Sequence, residues 1–386
     1  MSGPSTEPPR SLYVHAPFCE RRCSYCDFAV EVTRRAPTAE WVRAIAAELA
    51  MQREAYGWPR LGLDTVYVGG GTPSLLGVGA VAWFRDALAE HASWDASAEW
   101  TAEANPESFD LPLARDWAAA GVNRVSLGVQ TFAPAVLRWM GRLHGVDAPA
   151  RAVLAARKAG IDNLSVDLIF GVPERFERRW SEELERALEL EPDHVSLYGL
   201  TAEPGAPLGR WVREQREALP DEDRYAEEYL TAVDRFIRAG FEQYEVSSFA
   251  RPGARSRHNA VYWSGGGYAA LGPGAHAYDP PRRRWNLRGW DAYREAVSAG
   301  TLPLAGEEIV GTADRELEDA WLALRTRAGY PVERCTAAQD ARIDAWVRAG
   351  WARRTAAAVG LTPRGWLLLD TLAVELVAAG DRAAAA

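Results

Sequence analysis

The 386-residue sequence is poor in lysine, cysteine, histidine and methionine, and each shortage narrows what the chain can be. Lysine occurs once, at Lys158, so arginine carries nearly all the positive charge, a bias of coding rather than of chemistry. With 44 basic against 53 acidic residues the formal charge is -9, which argues against nucleic acid as the main partner, because phosphate binding needs a basic surface. No run of about 18 apolar residues occurs, so no transmembrane helix is expected. The opening "MSGPSTEPPR" is polar and proline-rich and lacks the apolar stretch of a signal peptide. Four cysteines are too few for a disulfide framework in a chain of this length, and a reducing cytoplasmic setting is expected. What remains is an ordinary globular composition, 48% hydrophobic and 25% charged, long enough for one large domain and one smaller one.

Six short β-rich runs alternate with helical patterns through the first two-thirds. They are "SLYVH" (11–15), "DTVYVG" (64–69), "EWTAEA" (99–104), "NRVSLGV" (123–129), "NLSVDLIF" (163–170) and "HVSLYGL" (194–200). Helices are expected over about 38–56, with Trp41, Ile45 and Leu49 on one face, and over 78–91, 111–120, 148–159 and 180–190. The strands read as mostly apolar on both faces, as in a parallel sheet covered by helices. The expected fold is α/β: an open, partial β/α barrel of about six βα units over residues 1–240. A connecting segment, 241–304, leads to a smaller, mainly helical, winged-helix-like domain over 305–386, whose last residues, "DRAAAA", should fray. The helix near 221–239 is expected to pack outside the barrel. Every strand ends in something polar or glycine-rich: "HAPFC", "GGGTPS", "EANPE", "GVQTF", "GVP" and "TAEPG". Six such ends in register point to one shared site at the carboxyl edge.

Three of the four cysteines, Cys19, Cys23 and Cys26, crowd into one polar loop as C-x-x-x-C-x-x-C. Thiolates at that spacing suit an iron–sulfur cluster or zinc. Structural zinc wants four ligands, and His15 and distant Cys335 are the only spare candidates. Three unliganded thiols fit the polar loop poorly. By itself the triplet Gly69, Gly70, Gly71 reads as a flexible turn.

Taken together, the cysteine loop with Tyr25 inside it and the segments "YVHAPFC", "TVYVGGGTPSLL", "EANPE", "VSLGVQTF" and "SVDLIFGVPE" resemble the radical S-adenosylmethionine (SAM) superfamily. Within it they resemble the HemN/HemW branch, which contains oxygen-independent coproporphyrinogen III dehydrogenase and a heme chaperone. The resemblance runs from about Ser11 to the end of the chain. It implies a [4Fe-4S] cluster on Cys19, Cys23 and Cys26, with the fourth iron open to the amino and carboxylate groups of SAM. It also implies SAM contacts from Tyr13, Tyr25, Gly70, Gly71, Thr72 and Glu103, and further ligand contacts from Gln130, Arg142 and Asp167. The glycines would let backbone approach the bound amino acid closely. Asp167 lies within the apolar run "SVDLIF", so a ligand or Arg142 is expected to compensate its charge.

Two features lean toward the chaperone side of the branch. Phe28 stands where the dehydrogenase has a further cysteine, and the chain reaches Cys19 without that enzyme's N-terminal extension. "RHNAVYW", 257–263, resembles a heme-binding H-N-x-x-Y-W motif and makes His258 the expected iron ligand, with Tyr262 and Trp263 against the macrocycle. The implied partners are heme and apo-hemoproteins, respiratory enzymes at the membrane among them, with peripheral membrane association during delivery and a homodimer as a further expectation. The rivals are the dehydrogenase or another radical SAM enzyme acting on a tetrapyrrole, and a zinc-stabilised binding protein.

Overall fold

The computed structural model describes residues 7–384, the last four by their backbone alone. The first six residues, and the final two of the expected frayed tail, lie outside the described residues; the backbone of the other four tail residues continues the helix Leu369–Ala384. The chain forms two compact units that do not follow sequence order: Met1–Pro220 with Gly267–Ile309, and Asp221–Gly266 with Val310–Ala386.

The first unit is built on parallel strands β1 (Ser11–Ala16), β2 (Thr65–Gly70), β3 (Glu99–Ala104), β4 (Arg124–Gln130), β5 (Asn163–Phe170) and β6 (His194–Gly199). All six match the runs read from the sequence to within one residue. They pair in chain order from β1 to β6. A seventh short strand, β7 (Ala269–Leu271), adds to the free side of β1, with Leu12 opposite Ala269 and Val14 opposite Leu271. Sequence patterning missed it because three residues in a glycine-rich stretch carry no periodicity. Within the first unit the strands run in the order β7-β1-β2-β3-β4-β5-β6, and among the described residues β6 and β7 do not pair, as in an open barrel.

The strands are not apolar on both faces, as the sequence suggested. Leu12, Val14, Val66, Val68, Trp100, Ala102, Val125, Leu127, Val166 and Leu197 are buried on one face. Trp100 shows where that face looks: it meets Phe84 of α2 (Ala80–Leu88) at 6.2 Å between ring centroids. The alternate residues are Tyr13, Tyr67, Thr101, Glu103, Arg124, Ser126, Asp167, His194 and Ser196, and the register sets them in rows across the sheet. Period-two alternation therefore lines the barrel with polar groups while its outside takes the helices.

The helix α1 (Thr38–Tyr56) buries Trp41, Ile45 and Leu49 as expected and stops at Gly57, whose φ of 66° closes the last turn. The helix α3 (Leu111–Ala120) begins where the Asp110 side chain accepts the Leu113 N–H. Three helices of this unit were not anticipated, Pro134–Met140, Pro207–Arg213 and Trp290–Ser298; the first two have proline in their first turn and are too short for a hydrophobic period to register. After β7 the chain makes a three-stranded antiparallel sheet, β8 (His276–Asp279), β9 (Arg282–Asn286) and β10 (Leu304–Ile309).

The second unit holds the helix Glu222–Arg238, capped by Asp221, and the antiparallel strands Glu242–Glu245 and Ser248–Ala250. Helices Thr312–Arg325, Ala337–Arg348 and Leu369–Ala384 and the strand set 330–331, 358–361, 352–354 complete a winged-helix-like arrangement. Leu324, Ile343, Trp346, Val359, Leu372 and Leu376 form its core. Thr336 and Gln339 make a reciprocal capping box at the start of the second of those helices.

Candidate cofactor site at the carboxyl edge of the barrel

The cysteine loop leaves β1 directly. His15, at the end of that strand, is buried, and its Nε2 donates to the Ala29 carbonyl (2.8 Å) while its Nδ1 accepts from the Tyr13 hydroxyl (3.0 Å). Burial drives its pKa down to about 4, so the ring stays neutral and fastens the far end of the loop to β1. His15 had been a spare metal ligand on the sequence; both of its nitrogens are occupied.

Cys19, Cys23 and Cys26 are free thiols, partly exposed. They lie within electrostatic range of one another, and burial pushes the Cys19 thiol up to about 11 and raises Cys26. Among the described residues no three His, Cys, Asp or Glu side chains close into a cage for a single ion. Three thiols on one loop suit an iron–sulfur core. Two protein donors reach the sulfurs. Thr72 Oγ1 donates to Cys19 Sγ (3.4 Å), and Arg142 Nη1 lies 3.9 Å from Cys23 Sγ. Burial works against the Arg142 charge, but Tyr25, Cys23 and Glu107 outweigh it and raise the guanidinium pKa. Arg142 also donates to Asn105 Oδ1 (2.7 Å) and to the Gly128 carbonyl, and its buried Nε has no hydrogen-bond partner. A fixed cation with a spare donor beside three thiols fits a group that carries negative charge. Cys335 lies in the second unit, where its thiol donates to the Pro331 carbonyl at 3.8 Å.

Gly69, Gly70 and Gly71 are required by the protein itself. A Cβ on Gly69 would come within 2.9 Å of the Glu103 carboxylate, one on Gly70 within 2.2 Å of the His15 ring, and one on Gly71 within 2.6 Å of the Ala16 carbonyl. Gly70 also has φ of 103°, a backbone that favours glycine. The triplet lets β1, β2 and the carboxylate of β3 converge, which the flexible-turn reading did not foresee. Glu103 accepts from the Tyr67 hydroxyl at Oε1 (2.7 Å) and from the Gly70 N–H at Oε2 (3.0 Å). Burial pushes its pKa up to about 7 against the Tyr67 hydrogen bond, and Asp167 adds to the rise.

Asp167 accepts from Ser126 Oγ at 3.1 and 3.2 Å and bonds Ser196. Its direct partners are these serines; Arg124 and Arg142 act at longer range. Arg124 is 1% exposed and was not singled out in the sequence, yet it offsets both interior carboxylates. Its only sequence signal was a charged residue at the start of an apolar strand. Gln130 has φ of 66°, where β4 and β5 shift register after Gly128. A left-handed non-glycine at a strand-end bulge is stored strain of the kind functional sites hold. Tyr13 stacks on Tyr67 (6.1 Å, 29°), and Tyr25 packs among Val136, Met140, Ile169 and Leu208. A cleft of ≈ 20 Å³ lies beside Cys23, lined in part by Thr72, Asn105, Glu107 and Arg142.

His258, in the second unit, occupies the first turn of the helix Arg257–Trp263, which Ser256 caps. Its ring is fully buried, with Nε2 2.7 Å from the Tyr262 hydroxyl one turn on. Trp263 lies under Arg325 (4.0 Å to the ring centroid), and its indole N–H is buried with no hydrogen-bond partner.

Residues 13–191 match the model of the Radical SAM superfamily. The chain is 39% identical to the "Heme chaperone HemW" of Mycobacterium tuberculosis over 96% of this chain and 95% of that one. With the protein of that name from Bacillus subtilis the identity is 33%, over 84% and 86%. The solved coproporphyrinogen III oxidase (HemN) of Escherichia coli shares the fold, at TM-score 0.79, 21% identity, and 95% and 89% coverage. A relative matched over nearly its whole length, on an open barrel that gathers three thiols at the end of its first strand, leaves one conclusion about ancestry: the chain belongs to the HemW family of the radical SAM superfamily.

Proposed function

We propose that the chain is a heme chaperone that takes up heme and passes it to apo-hemoproteins, with a [4Fe-4S] cluster and SAM as resident cofactors. The carrying observation is the 39% identity to a heme chaperone across 95% of that protein. Cys19, Cys23 and Cys26 hold the cluster, with Thr72 and Arg142 donating to two of the sulfurs. Tyr13, Tyr25, Gly70, Gly71, Glu103, Gln130 and Asp167 bind SAM around the polar barrel interior. When bound, such a cluster supplies an electron and an open iron for SAM. The protein's own part is to fix the Glu103 carboxylate, which accepts from the Tyr67 hydroxyl and the Gly70 N–H.

His258 is the proposed heme ligand. Its Nε2 is engaged by Tyr262, so ligation there requires the Tyr262 hydroxyl to leave. Delivery to respiratory enzymes, peripheral membrane association, a cytoplasmic location and a homodimer complete the proposal. Among the described residues no helix is long and apolar enough to cross a membrane.

The test is anaerobic reconstitution followed by visible and EPR spectra with and without hemin, and incubation with SAM and coproporphyrinogen III. A cluster signal with a Soret shift that His258→Ala abolishes is expected. Coproporphyrinogen turnover would replace the chaperone by the enzyme, a reading kept alive by the shared HemN fold. Colourless protein with stoichiometric zinc would overturn both.

A further inference from the structure

The antiparallel sheet β8-β9-β10 of the first unit presents a flat aromatic face that the cofactor site does not use. His276 stands opposite Trp285, and Trp285 opposite Gly306. Their ring planes are nearly parallel, 22° apart with centroids at 6.0 Å. Gly306 is what allows this: a Cβ there would sit 2.5 Å from the indole, so only glycine lets Trp285 lie down on the sheet. The next row on the same face is Tyr278, Arg283 and Glu308.

The face opens into a cavity of ≈ 380 Å³ lined by Tyr268, His276, Ala277, Arg283, Trp285 and Glu308. That volume falls in the range of small-molecule sites. Burial, then Arg288 and Arg283, lower the His276 pKa, so the imidazole is neutral and two guanidiniums stand near it. Arg283 meets Glu308 at 3.4 Å with both side chains substantially exposed, and Arg288 meets Asp27 at 3.8 Å. Exposed pairs of this kind are worth little, so a ligand carboxylate can share either cation.

We propose that this face is a stacking platform for a planar, carboxylate-bearing tetrapyrrole, which lies across the His276 and Trp285 rings with its carboxylates at Arg283 and Arg288. The inference rests on the heme-chaperone reading and deepens it. Trp285, laid over Gly306, offers its π-face to the ligand with the His276 ring nearly parallel to it, so the platform stacks and does not ligate. Recognition is then independent of iron. An open shelf that holds the macrocycle by one face releases it readily, which suits hand-over. A purine would cover one of the two rings; a tetrapyrrole covers both.

The experiment titrates full-length protein with metal-free protoporphyrin IX and, separately, with hemin. It follows tryptophan quenching and the Soret band in wild type, Trp285→Ala, Arg283→Glu, Gly306→Val and His258→Ala. Wild type should bind protoporphyrin IX, His258→Ala should retain that binding, and each of the three platform variants should lose at least tenfold. Arg283→Glu alters a half-exposed side chain outside the core and guards against misfolding of the others; far-UV circular dichroism checks all of them. Unchanged porphyrin affinity in Arg283→Glu and Trp285→Ala, with hemin binding still lost in His258→Ala, overturns the platform and leaves the chaperone reading intact. A wild type that takes up neither tetrapyrrole overturns both. Displacement of protoporphyrin IX by excess SAM makes the face a nucleoside site and overturns the platform.

Discussion

Glu103 holds its proton more tightly in the folded protein than in the unfolded chain, because burial raises its pKa from 4.5 to about 7. The native state therefore binds more protons than the unfolded state between those two values, and stability falls as pH rises through that window. At most about 3 kcal/mol is involved. Urea midpoints of the cofactor-free protein should drop between pH 5 and 7 and level off above, and Glu103→Gln should lose much of that slope. Glu48, also raised to about 7 by burial, keeps a share of the same sign in the variant. An identical slope in variant and wild type would remove Glu103 from this account. At the same scale, Tyr262 competes with heme for His258. Tyr262→Phe should tighten hemin binding severalfold in a Soret titration, whereas His258→Ala should abolish the Soret shift that iron ligation produces. Weaker binding in Tyr262→Phe would mean that the hydroxyl orients the imidazole for iron instead of blocking it.

The elements meet at the glycine triplet and the β4 bulge. Gly70→Ala puts a methyl group 2.2 Å from the His15 ring on a backbone with φ of 103°. It should cost about 1–3 kcal/mol from the strained backbone alone, and displacing His15 should also free Ala29, lowering iron and sulfide content after reconstitution. Gln130→Gly acts the other way. It relaxes a left-handed residue, so thermal stability should hold or rise, while SAM affinity by equilibrium dialysis should fall if the side chain binds the cofactor. Unchanged SAM affinity would reduce Gln130 to a strand-end feature. The six strands and five helices were legible because each repeats a hydrophobic period over several turns or alternations. Among those that were not are the helices at 134–140 and 207–213 and strand β7, since seven residues or fewer leave too little pattern to read.

Over the whole molecule, the first unit is completed by chain that returns after residue 266. A fragment ending at Pro220 would leave the outer edge of β1 unpaired where Ala269–Leu271 normally lies. It should aggregate or unfold without cooperativity in size-exclusion and urea experiments. A monomeric fragment with a sharp transition would contradict the assignment of Gly267–Ile309 to the first unit.

The amino-acid sequence by itself determined the βα alternation, the clustered thiols and the superfamily, because periodicity and spacing are local properties of the chain. Only the tertiary structure decided that the barrel interior is polar, that Arg124 offsets the carboxylates of β3 and β5, and that the glycines serve the convergence of three strand ends. It also decided that the His276 and Trp285 rings lie nearly parallel beside each other. Each of these depends on residues tens of positions apart being set side by side by strand register, and no local pattern in the sequence carries that distance.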